Sequence, residues 1–367
     1  MKVGILTFHR ALNYGAVLQA YALKANVEKK GHKADVIDYR NDVIESLYKY
    51  PKFSDQKTIK NKIAYILRSR WEKSKRNKFD LFRDKQLQLK NAKVYTENNI
   101  SDTQDLYDAF FVGSDQVWNP DAHNFDKNFY LDFVQQKHKK HSYAASFGVD
   151  RLEEKYHEDC KRMLSDFSVC SVRESQGSKL VSDIVGVAAR VDLDPVFLLN
   201  KKDWQETFNL KNSGERYVVI YTFYLSDLQK KVARSCYEAG YKIKYIGKPL
   251  KNPFGFPCEF VSAVSPVDFV ELFFGASFVI TNSFHGAAFS INFNKPVAIE
   301  LLPDGNRVNS RLLSILNLVG MDDRIVFDVN SIKSIIESPI NWNSVNSRVD
   351  ELRRSSLEYI EECLSNE

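Results

Sequence analysis

A histidine stands where an apolar stretch meets a helix-like stretch, in the run Asn282-Ser283-Phe284-His285-Gly286. Imidazole changes its charge near neutral pH, so His285 could give a proton to a bound ligand. The first turn of a helix offers free backbone N–H groups and a positive dipole end, which favour an anion. Gly286 has no Cβ and would let a ligand approach closely. The run predicts a ligand with a negative group and an atom that accepts a proton, although His285 could instead be a buried, hydrogen-bonded histidine.

Three further polar clusters follow apolar stretches that are typical of strands. They hold Asn13-Tyr14, Ser114-Asp115-Gln116 and Arg173. Because ligands of open parallel sheets bind beyond the carboxyl ends of the strands, we expect these clusters to face one cleft. Each cluster also has a purely structural interpretation. Asn13 is typical of a helix N-cap, Ser114-Asp115 is typical of a turn, and Arg173 suits an ion pair between domains.

The elements that must position these clusters form two α/β series. The first opens with a strand at 3–8, a helix at 14–30 and a strand at 34–39, which is a βαβ unit. Further strands are predicted at 109–112, 142–146, 167–172 and 191–193, with a helix at 175–185. A polar break at 200–214 follows, and the second series runs from a strand at 217–223 to a strand at 297–299.

Two such series predict an α/β protein with two Rossmann-like, doubly wound domains. This is a glycosyltransferase-B-like architecture with a cleft between the domains. We expect an N-terminal domain at 1–205 on the acceptor side and a C-terminal domain at 206–340 on the donor side. The segment 341–367 reads as a closing amphipathic helix. The length of 367 residues suits two domains.

The composition excludes several classes of protein. The five cysteines include no CxxC pair, which argues against a disulfide framework and a zinc cluster. The first apolar run is too short for a signal peptide, and no stretch reaches the ~18 apolar residues of a membrane span. Neither a G-x-G-x-x-G turn nor a P-loop occurs, which argues against a dinucleotide or nucleoside triphosphate. The sequence therefore predicts a cytoplasmic protein that requires no metal and no cofactor.

The positive charge is concentrated in residues 57–93, which hold 13 Lys and Arg against 3 Asp and Glu, whereas the whole chain carries only +5. Apolar residues at roughly helical spacing, among them Trp71, Phe79 and Phe82, indicate an amphipathic helix pair. Such a basic face is typical of a solvated surface, and it also suits an anionic glycan or lipid surface. We therefore expect a peripheral contact with the inner face of the membrane. No motif of a known nucleic-acid-binding module occurs, so no nucleic acid is expected.

Several motifs, taken in order, resemble those of the polysaccharide pyruvyl transferase family. They are NYGAVLQAYAL, VGSDQVW, SYAASFG, SVRES, LDPVFLL, ITNSFHGAAFSINFNKPVAI and NSR, and they cover about residues 13–311. The resemblance implies transfer of the carboxyvinyl unit of phosphoenolpyruvate to a sugar in cell-surface polysaccharide biosynthesis. The product would be a cyclic pyruvate ketal on two sugar hydroxyls. The implied partners are a phosphoenolpyruvate donor and a glycan or lipid-linked sugar acceptor.

The resemblance also implies roles for single residues. His285 matches the histidine linked to the donor and to proton transfer, and Arg173 matches the arginine linked to donor anion binding. Many members carry Arg two residues before the histidine, where this chain has Ser283. One ligand of the donor anion is therefore missing, or it is supplied from elsewhere in the chain, for which Arg311 is the candidate.

The implied chemistry suits these side chains. A bidentate arginine and a helix N-terminus can neutralise the carboxylate and phosphate of phosphoenolpyruvate. His285 would act as a general acid toward the methylene carbon, and Asp115 would orient or deprotonate the acceptor. Besides Arg173, the predicted substrate-binding residues are Asn13, Tyr14, Ser114, Gln116, Asn282, Ser283, Gly286, Asn309 and Arg311.

Two other functions stay open from the residues alone. One is a nucleotide-sugar glycosyltransferase of the same architecture, in which Glu300 would hold the donor ribose. The other is a non-catalytic protein that binds a glycan or an anion in the cleft.

Overall fold

The computed structural model of the protein describes residues 1–49, 53–55, 58–249, 251–303 and 309–365. Within these ranges, the side chains of residues 53, 60, 63, 64 and 66–68 are not described. The described chain folds into parallel β-sheets connected by helices. The predicted α/β class with two Rossmann-like sheets is confirmed.

The first half of the chain forms a parallel sheet with the strand order β2-β1-β3-β4. A bridge between Ala145 and Val172 continues this sheet into the parallel pair β5-β6. The central strands β1 and β3 are almost entirely apolar because both of their faces are covered, whereas the other strands carry polar residues. The elements are β1 (Lys2–Leu6), α1 (Tyr14–Lys29), β2 (Lys33–Val36), α2 (Asp42–Leu47), α3 (Ile59–Gln86), β3 (Ala109–Val112), α4 (Pro120–His123), β4 (Lys140–Ser142), α5 (His157–Leu164), β5 (Ser171–Val172), α6 (Ser175–Val185), β6 (Arg190–Val191) and α7 (Lys201–Phe208).

The second half forms a five-stranded parallel sheet with the order β11-β10-β7-β8-β9. Its elements are β7 (Tyr217–Tyr221), α8 (Asp227–Glu238), β8 (Lys242–Ile246), β9 (Glu259–Val261), α9 (Pro266–Gly275), β10 (Phe278–Thr281), α10 (Phe284–Asn292), β11 (Val297–Ile299), α11 (Asn309–Val319), α12 (Ser331–Glu337) and α13 (Trp342–Leu364). Both halves begin with a βαβ unit; its crossover helix is almost completely buried in the first half (α1) and buried on one face in the second (α8).

The structure corrects the sequence interpretation at several element ends. The strand expected at 3–8 ends at Leu6, because the backbone turns there and the His9 N–H donates to the Thr7 carbonyl at 2.9 Å. The polar break expected at 200–214 contains the helix α7. That helix begins with a reciprocal capping box between Asn200 and Asp203, and it buries Trp204. The sequence interpretation missed this helix because its composition is polar and one buried tryptophan supplies most of its apolar face.

The basic stretch forms the single helix α3 and not the predicted helix pair. The stretch begins at Lys57, which lies outside the described residues. Phe79 and Phe82 bury the C-terminal part of α3 against the core, and Lys78 forms an ion pair with Asp268 of α9 at 3.3 Å. The helix therefore touches both halves of the chain. None of the helices in the described ranges is long and apolar enough to cross a membrane.

One apolar core extends through both halves. The Tyr14 ring of α1 stacks on the Phe269 ring of α9 with centroids 4.5 Å apart, and Trp204 of α7 meets Phe289 of α10 at 5.3 Å. The helix α13 then returns to the first half, where the Tyr359 hydroxyl donates to the carbonyls of residues 142 and 169 at 3.1 Å. These contacts hold the two sheets with their carboxyl ends facing each other.

The division of the chain into domains stays a prediction. The expected boundary between residues 205 and 206 falls within α7, and the closing helix starts at Trp342.

Candidate functional site

A cavity of about 170 Å³ lies where the carboxyl ends of the two sheets face each other. The strand order of each sheet reverses at this point, beside β1 and β3 in one sheet and beside β7 and β10 in the other. Such switch points are where open α/β sheets bind ligands. The cavity is lined by Phe8, Asn13, Ile44, Leu47, Tyr48, Asp115, Gln116, Ala122, Phe223, Ser283, Phe284, His285 and Arg311.

His285 is the second residue of α10, and its buried ring lines the cavity. Ser283 is the N-cap residue, but its side chain accepts no hydrogen bond from the first turn. The N–H groups of that turn are therefore available to a ligand. The ring also packs on the first turn of α1, where a Cβ on Gly15 would lie only 1.9 Å from His285 Nδ1. Two positive helix ends thus meet at the histidine, which favours an anion there.

Asp194 holds the other side of the histidine ring. Its Oδ2 lies 3.5 Å from His285 Nε2 and accepts a hydrogen bond from Arg173 Nη1 at 2.7 Å. Burial alone would raise the pKa of this carboxyl, but His285 and Arg173 hold its pKa well below the usual range. Asp194 is therefore a fixed negative charge beside the ring.

Arg173 is almost completely buried, and it does not line the cavity. Besides Asp194, its guanidinium lies 3.5 Å from Asp115 Oδ1 and 4.0 Å from Glu174 Oε2. It also lies over the Phe284 ring, 4.5 Å from the centroid. In this arrangement Arg173 pairs with carboxylates and sits behind the cavity wall. Its first effect is to keep Asp194 and Asp115 in place.

Arg311 lines the cavity from the first turn of α11. Burial and the neighbouring Arg173 guanidinium lower the pKa of Arg311 to about 10. When the Gln116 amide oxygen faces it, both Nη atoms donate to that oxygen at 3.0 Å, while Nε has no hydrogen-bond partner. A buried cation with a free donor binds an anion favourably, because the anion restores the interactions that burial removed. Arg311 and Ser283 thus line the same cavity.

Asp115 lines the cavity beside Gln116. It adopts a left-handed backbone conformation with a φ of 70°, and its Oδ1 accepts a hydrogen bond from the Gln116 N–H at 3.0 Å. Aspartate tolerates this conformation better than most residues. The turn points the carboxylate toward the cavity and away from the sheet.

Two predicted site residues fix loops near the cavity and do not line it. The Asn282 amide accepts from the Phe223 N–H and donates to the Tyr224 carbonyl, both at 2.9 Å. The Asn309 amide makes a similar pair of hydrogen bonds with the backbone of Leu302 at 3.0 and 2.8 Å. These residues set the positions of the loop after β7 and of the start of α11.

Tyr14 and Ser114 are also buried outside the cavity lining. The Tyr14 hydroxyl donates to the Val264 carbonyl at 3.2 Å, and its ring forms part of the core between the halves. The Ser114 hydroxyl lies 2.7 Å from the Ala144 carbonyl and 3.2 Å from Asp194 Oδ2. Ser114 therefore supports Asp194, and Tyr14 supports the packing of α1.

Asn13 and Gly286 each have a structural role. The sequence interpretation named the role of Asn13 as a helix N-cap, and it did not name that of Gly286. Asn13 is the N-cap of α1, and its Oδ1 accepts from the N–H groups of residues 15 and 16, while the residue also lines the cavity. A Cβ on Gly286 would lie 2.2 Å from Thr281 Oγ1. The glycine is therefore required by the close approach of α10 to β10.

Several residues of the site were missed by the sequence interpretation. Asp194, Glu174, Tyr48 and Phe223 were not among the predicted site residues. A signal existed for Asp194, because it follows a predicted strand in the LDPVFLL motif. Glu174 is buried next to Arg173, and burial raises its pKa. Tyr48 and Phe223 carried no signal, since single aromatic residues in loops are common.

The charges of the cluster nearly balance. The guanidinium groups of Arg173 and Arg311 face the carboxylates of Asp115 and Asp194. The buried Glu174, whose pKa burial raises, lies beside them, so an anion that enters the cavity favours the uptake of a proton by this cluster. Among the described residues, no group of three or more His, Cys, Asp or Glu is placed to hold a metal ion.

Comparisons with known proteins identify a family and a fold. A model of the polysaccharide pyruvyl transferase family matches residues 13–299 of the chain. No curated protein matches the sequence significantly.

Among solved structures, a UDP-GlcNAc 2-epimerase from Neisseria meningitidis is similar over 99% of both chains, with a TM-score of 0.52 and 9% identity. A spinosyn rhamnosyltransferase is similar over 100% of both chains, with a TM-score of 0.51 and 11% identity. At such identities the likeness shows the fold, and the predicted glycosyltransferase-B-like architecture is confirmed.

Proposed function

Because the chain belongs to the polysaccharide pyruvyl transferase family and is thus a transferase, we propose that it moves the pyruvyl group of phosphoenolpyruvate onto two hydroxyls of a sugar. Phosphate is released and a cyclic ketal is formed. One observation carries this proposal: His285 lies at an uncapped helix N-terminus, against the buried Asp194 carboxylate, on a cavity that also presents Arg311.

The donor anion binds to the first turn of α10 and to Arg311. Phosphoenolpyruvate carries a carboxylate and a phosphate, which the planar guanidinium and the free N–H groups can bind. Arg311 replaces the arginine that many family members have at the position of Ser283. In this proposal Arg173 acts through Asp194 and Asp115, and the second half of the chain is the donor side.

His285 supplies the proton. Asp194 lies behind the ring, 3.5 Å from Nε2, and the donor anion binds on the cavity side. Transfer of this proton to the methylene carbon produces a methyl group and makes the central carbon electrophilic. A first sugar hydroxyl attacks that carbon and loses its proton to Asp115. The bond to the phosphate oxygen breaks, the phosphate leaves with one proton, and a second hydroxyl closes the ketal as its proton returns to the site. Such general acid catalysis contributes roughly 10²–10⁴-fold.

The acceptor sugar lies at the mouth of the cavity, between the loop after β7 and the end of α2. Phe223 and Tyr224 are 61% and 63% exposed, and Leu47 across the mouth is 66% exposed. The backbone that presents the two rings is held by Asn282. Exposed apolar groups around a cavity indicate a binding surface, and a hexose has apolar C–H faces that can cover such rings. A lipid-linked acceptor would bring the basic helix α3 to the inner face of the membrane.

A second function has one observation in its favour. Glu300 follows β11, where it accepts a hydrogen bond from Ser226 at 2.5 Å, and a glycosyltransferase could use this carboxylate to bind a nucleotide ribose. The fold is compatible with that reading. The family match favours the pyruvyltransferase.

The test uses the full chain with phosphoenolpyruvate and a nitrophenyl hexoside that has two neighbouring free hydroxyls. We expect a pyruvyl mass gain on the hexoside and equal release of phosphate, and we expect His285→Gln to fold normally and to lose nearly all of both. Phosphoenolpyruvate at ~100 times its dissociation constant should add about 2.7 kcal/mol to stability. Stabilisation by UDP or GDP with no response to phosphoenolpyruvate would establish the glycosyltransferase instead.

A further inference from the structure

A second, larger cavity of about 630 Å³ adjoins the candidate site. It lies between α2, the loop after β1 and the C-terminal part of α3. Tyr48, which follows α2 directly, lines both cavities, so the two meet at this end of α2. Its size is that of a small-ligand site.

Cationic side chains dominate the wall of this cavity. They are Arg10, Arg40, Lys49, Arg76 and Arg83, against the acidic Asp42, Glu45 and Asp80. Arg76 and Arg83 belong to the basic helix α3, so part of the positive charge of that helix faces this cavity. A concave site with one excess sign of charge concentrates ligands of the opposite sign.

Arg83 shows that the positive charge is built into the wall. The residue is 5% exposed, and burial lowers the pKa of its guanidinium. Nη2 donates to Asp80 at 2.7 Å, but Nε is buried without a hydrogen-bond partner. The Nε of Arg40, which also lines the cavity, has no hydrogen-bond partner but lies 3.9 Å from Glu45 Oε1. The buried Asp38 pairs with Arg10 and lies 3.6 Å from Arg40, so five cations around the cavity face four carboxylates and leave an excess of positive charge.

We propose that this cavity binds the phosphate-ester end of the acceptor, as a sugar diphosphate, while the sugar itself reaches past Tyr48 to His285. This inference rests on the proposed function. The fork of an arginine matches the oxygens of a phosphate, and several arginines can share a diphosphate. The donor phosphate leaves from the other cavity beside Arg311, so the second cavity serves the acceptor and not the donor.

The experiment compares two acceptors of the same hexose. One is the nitrophenyl glycoside, and the other is a 1-diphosphate ester with a short alkyl chain. We expect the wild-type protein to have a lower KM for the diphosphate ester by about tenfold to a hundredfold, which is the range of one or two charge-assisted hydrogen bonds. The double variant Arg40→Gln/Lys49→Gln should lose this preference, with the turnover of the nitrophenyl glycoside unchanged.

The matched control is Lys202→Gln/Arg354→Gln, which removes the same charge from exposed positions away from both cavities. It should keep the preference. Equal KM values for the two acceptors in the wild type would overturn the proposal, as would a variant that raises both KM values alike. A nitrophenyl hexuronide that shows the same dependence on Arg40 and Lys49 would reassign the cavity to acidic sugars.

Binding without turnover separates this inference from the proposed function. If no acceptor is converted, titration calorimetry with the alkyl diphosphate hexose still tests the cavity, and the double variant should weaken binding by at least tenfold. Inorganic phosphate is the competing source of the same chemistry. Phosphate that binds as tightly as the diphosphate hexose would identify a free-phosphate site and overturn the proposal.

Discussion

Replacing Gly15 by alanine should displace the ring of His285 without unfolding the protein. The new Cβ would lie 1.9 Å from His285 Nδ1, about 1.5 Å short of the 3.4 Å at which ordinary van der Waals contact begins. The neighbour that must move is the imidazole, since Gly15 lies in the first turn of α1 and α1 is buried in the shared core. A shift of that size takes the ring out of its position between Asp194 and the first turn of α1, and away from the geometry needed at the reacting carbon.

The effects on stability and on turnover should differ strongly. Alanine is favoured over glycine in a helix by roughly 0.5–1 kcal/mol, whereas overpacking a tight site costs about 1–3 kcal/mol. The net loss of unfolding free energy is then no more than about 2.5 kcal/mol. A misplacement of about 1 Å in a catalytic group costs about 10²-fold in rate. We therefore expect turnover to fall by about 10²-fold or more while the melting temperature falls by only a few degrees.

The assay is release of phosphate from phosphoenolpyruvate in the presence of the hexoside, together with thermal unfolding of the same samples. Gly275→Ala is the matched control, because its Cβ would lie 2.5 Å from the Tyr217 hydroxyl, outside the residues that line the cavity. It should lose similar stability and keep turnover. Near wild-type turnover of a folded Gly15→Ala protein would refute the argument that the position of His285 against α1 matters.

Three further predictions follow from the same geometry. Asp194→Asn keeps the shape but removes the buried charge that faces His285 and Arg173, so turnover should fall by about 10²–10⁴-fold; turnover near that of the wild type in a folded variant would contradict this. Arg311→Lys loses the bidentate fork, so the KM for phosphoenolpyruvate should rise at least about tenfold, and an unchanged KM would remove Arg311 from the donor site. Burial lowers the pKa of His141 from 6.5 to about 4, so the unfolded chain binds more protons than the folded chain between these pH values. The free energy of unfolding should therefore rise with pH across this window by about 3 kcal/mol. Urea titrations of His141→Asn should show a weaker dependence of that free energy on pH.

The basic helix α3 leads to one more prediction. The full chain should sediment with anionic vesicles at low salt and be released at high salt, because each Lys or Arg near such a surface adds about 1 kcal/mol that salt screens. Equal recovery with neutral vesicles would leave α3 as a solvated face.

Much of the fold could be predicted from the sequence because strands buried on both faces are continuous apolar runs. The strands at 109–112 and 297–299 and the helix at 175–185 were predicted with the bounds that the structure has. The element ends that failed depend on backbone turns, such as the one after Leu6. The helix α7 was missed because its composition is polar, and its formation depends on a capping box and one buried tryptophan.

The candidate site was predictable in part for a related reason. Polar residues after strands indicate the edge at which ligands bind, so His285, Asp115 and Gln116 were named, and these line the cavity. Their individual roles depend on partners distant in sequence. Asp194 and Arg173 are 21 residues apart and meet only in the fold. From the sequence alone, Asn309 could equally bind substrate or hold the backbone. Only the structure shows its hydrogen bonds to Leu302.

The return of α13 to the first half has a consequence for synthesis on the ribosome. The hydroxyl of Ser356 donates to Asp192 at 3.0 Å, across a separation of 164 residues. At roughly 5–20 residues per second, the ribosome needs about 8 to 33 s to make that intervening chain. During this interval the nascent first half lacks the apolar face that Val349 and Ile360 supply. Chaperones that bind exposed apolar surface have this interval in which to act, and the first half completes its packing only after α13 has left the exit tunnel.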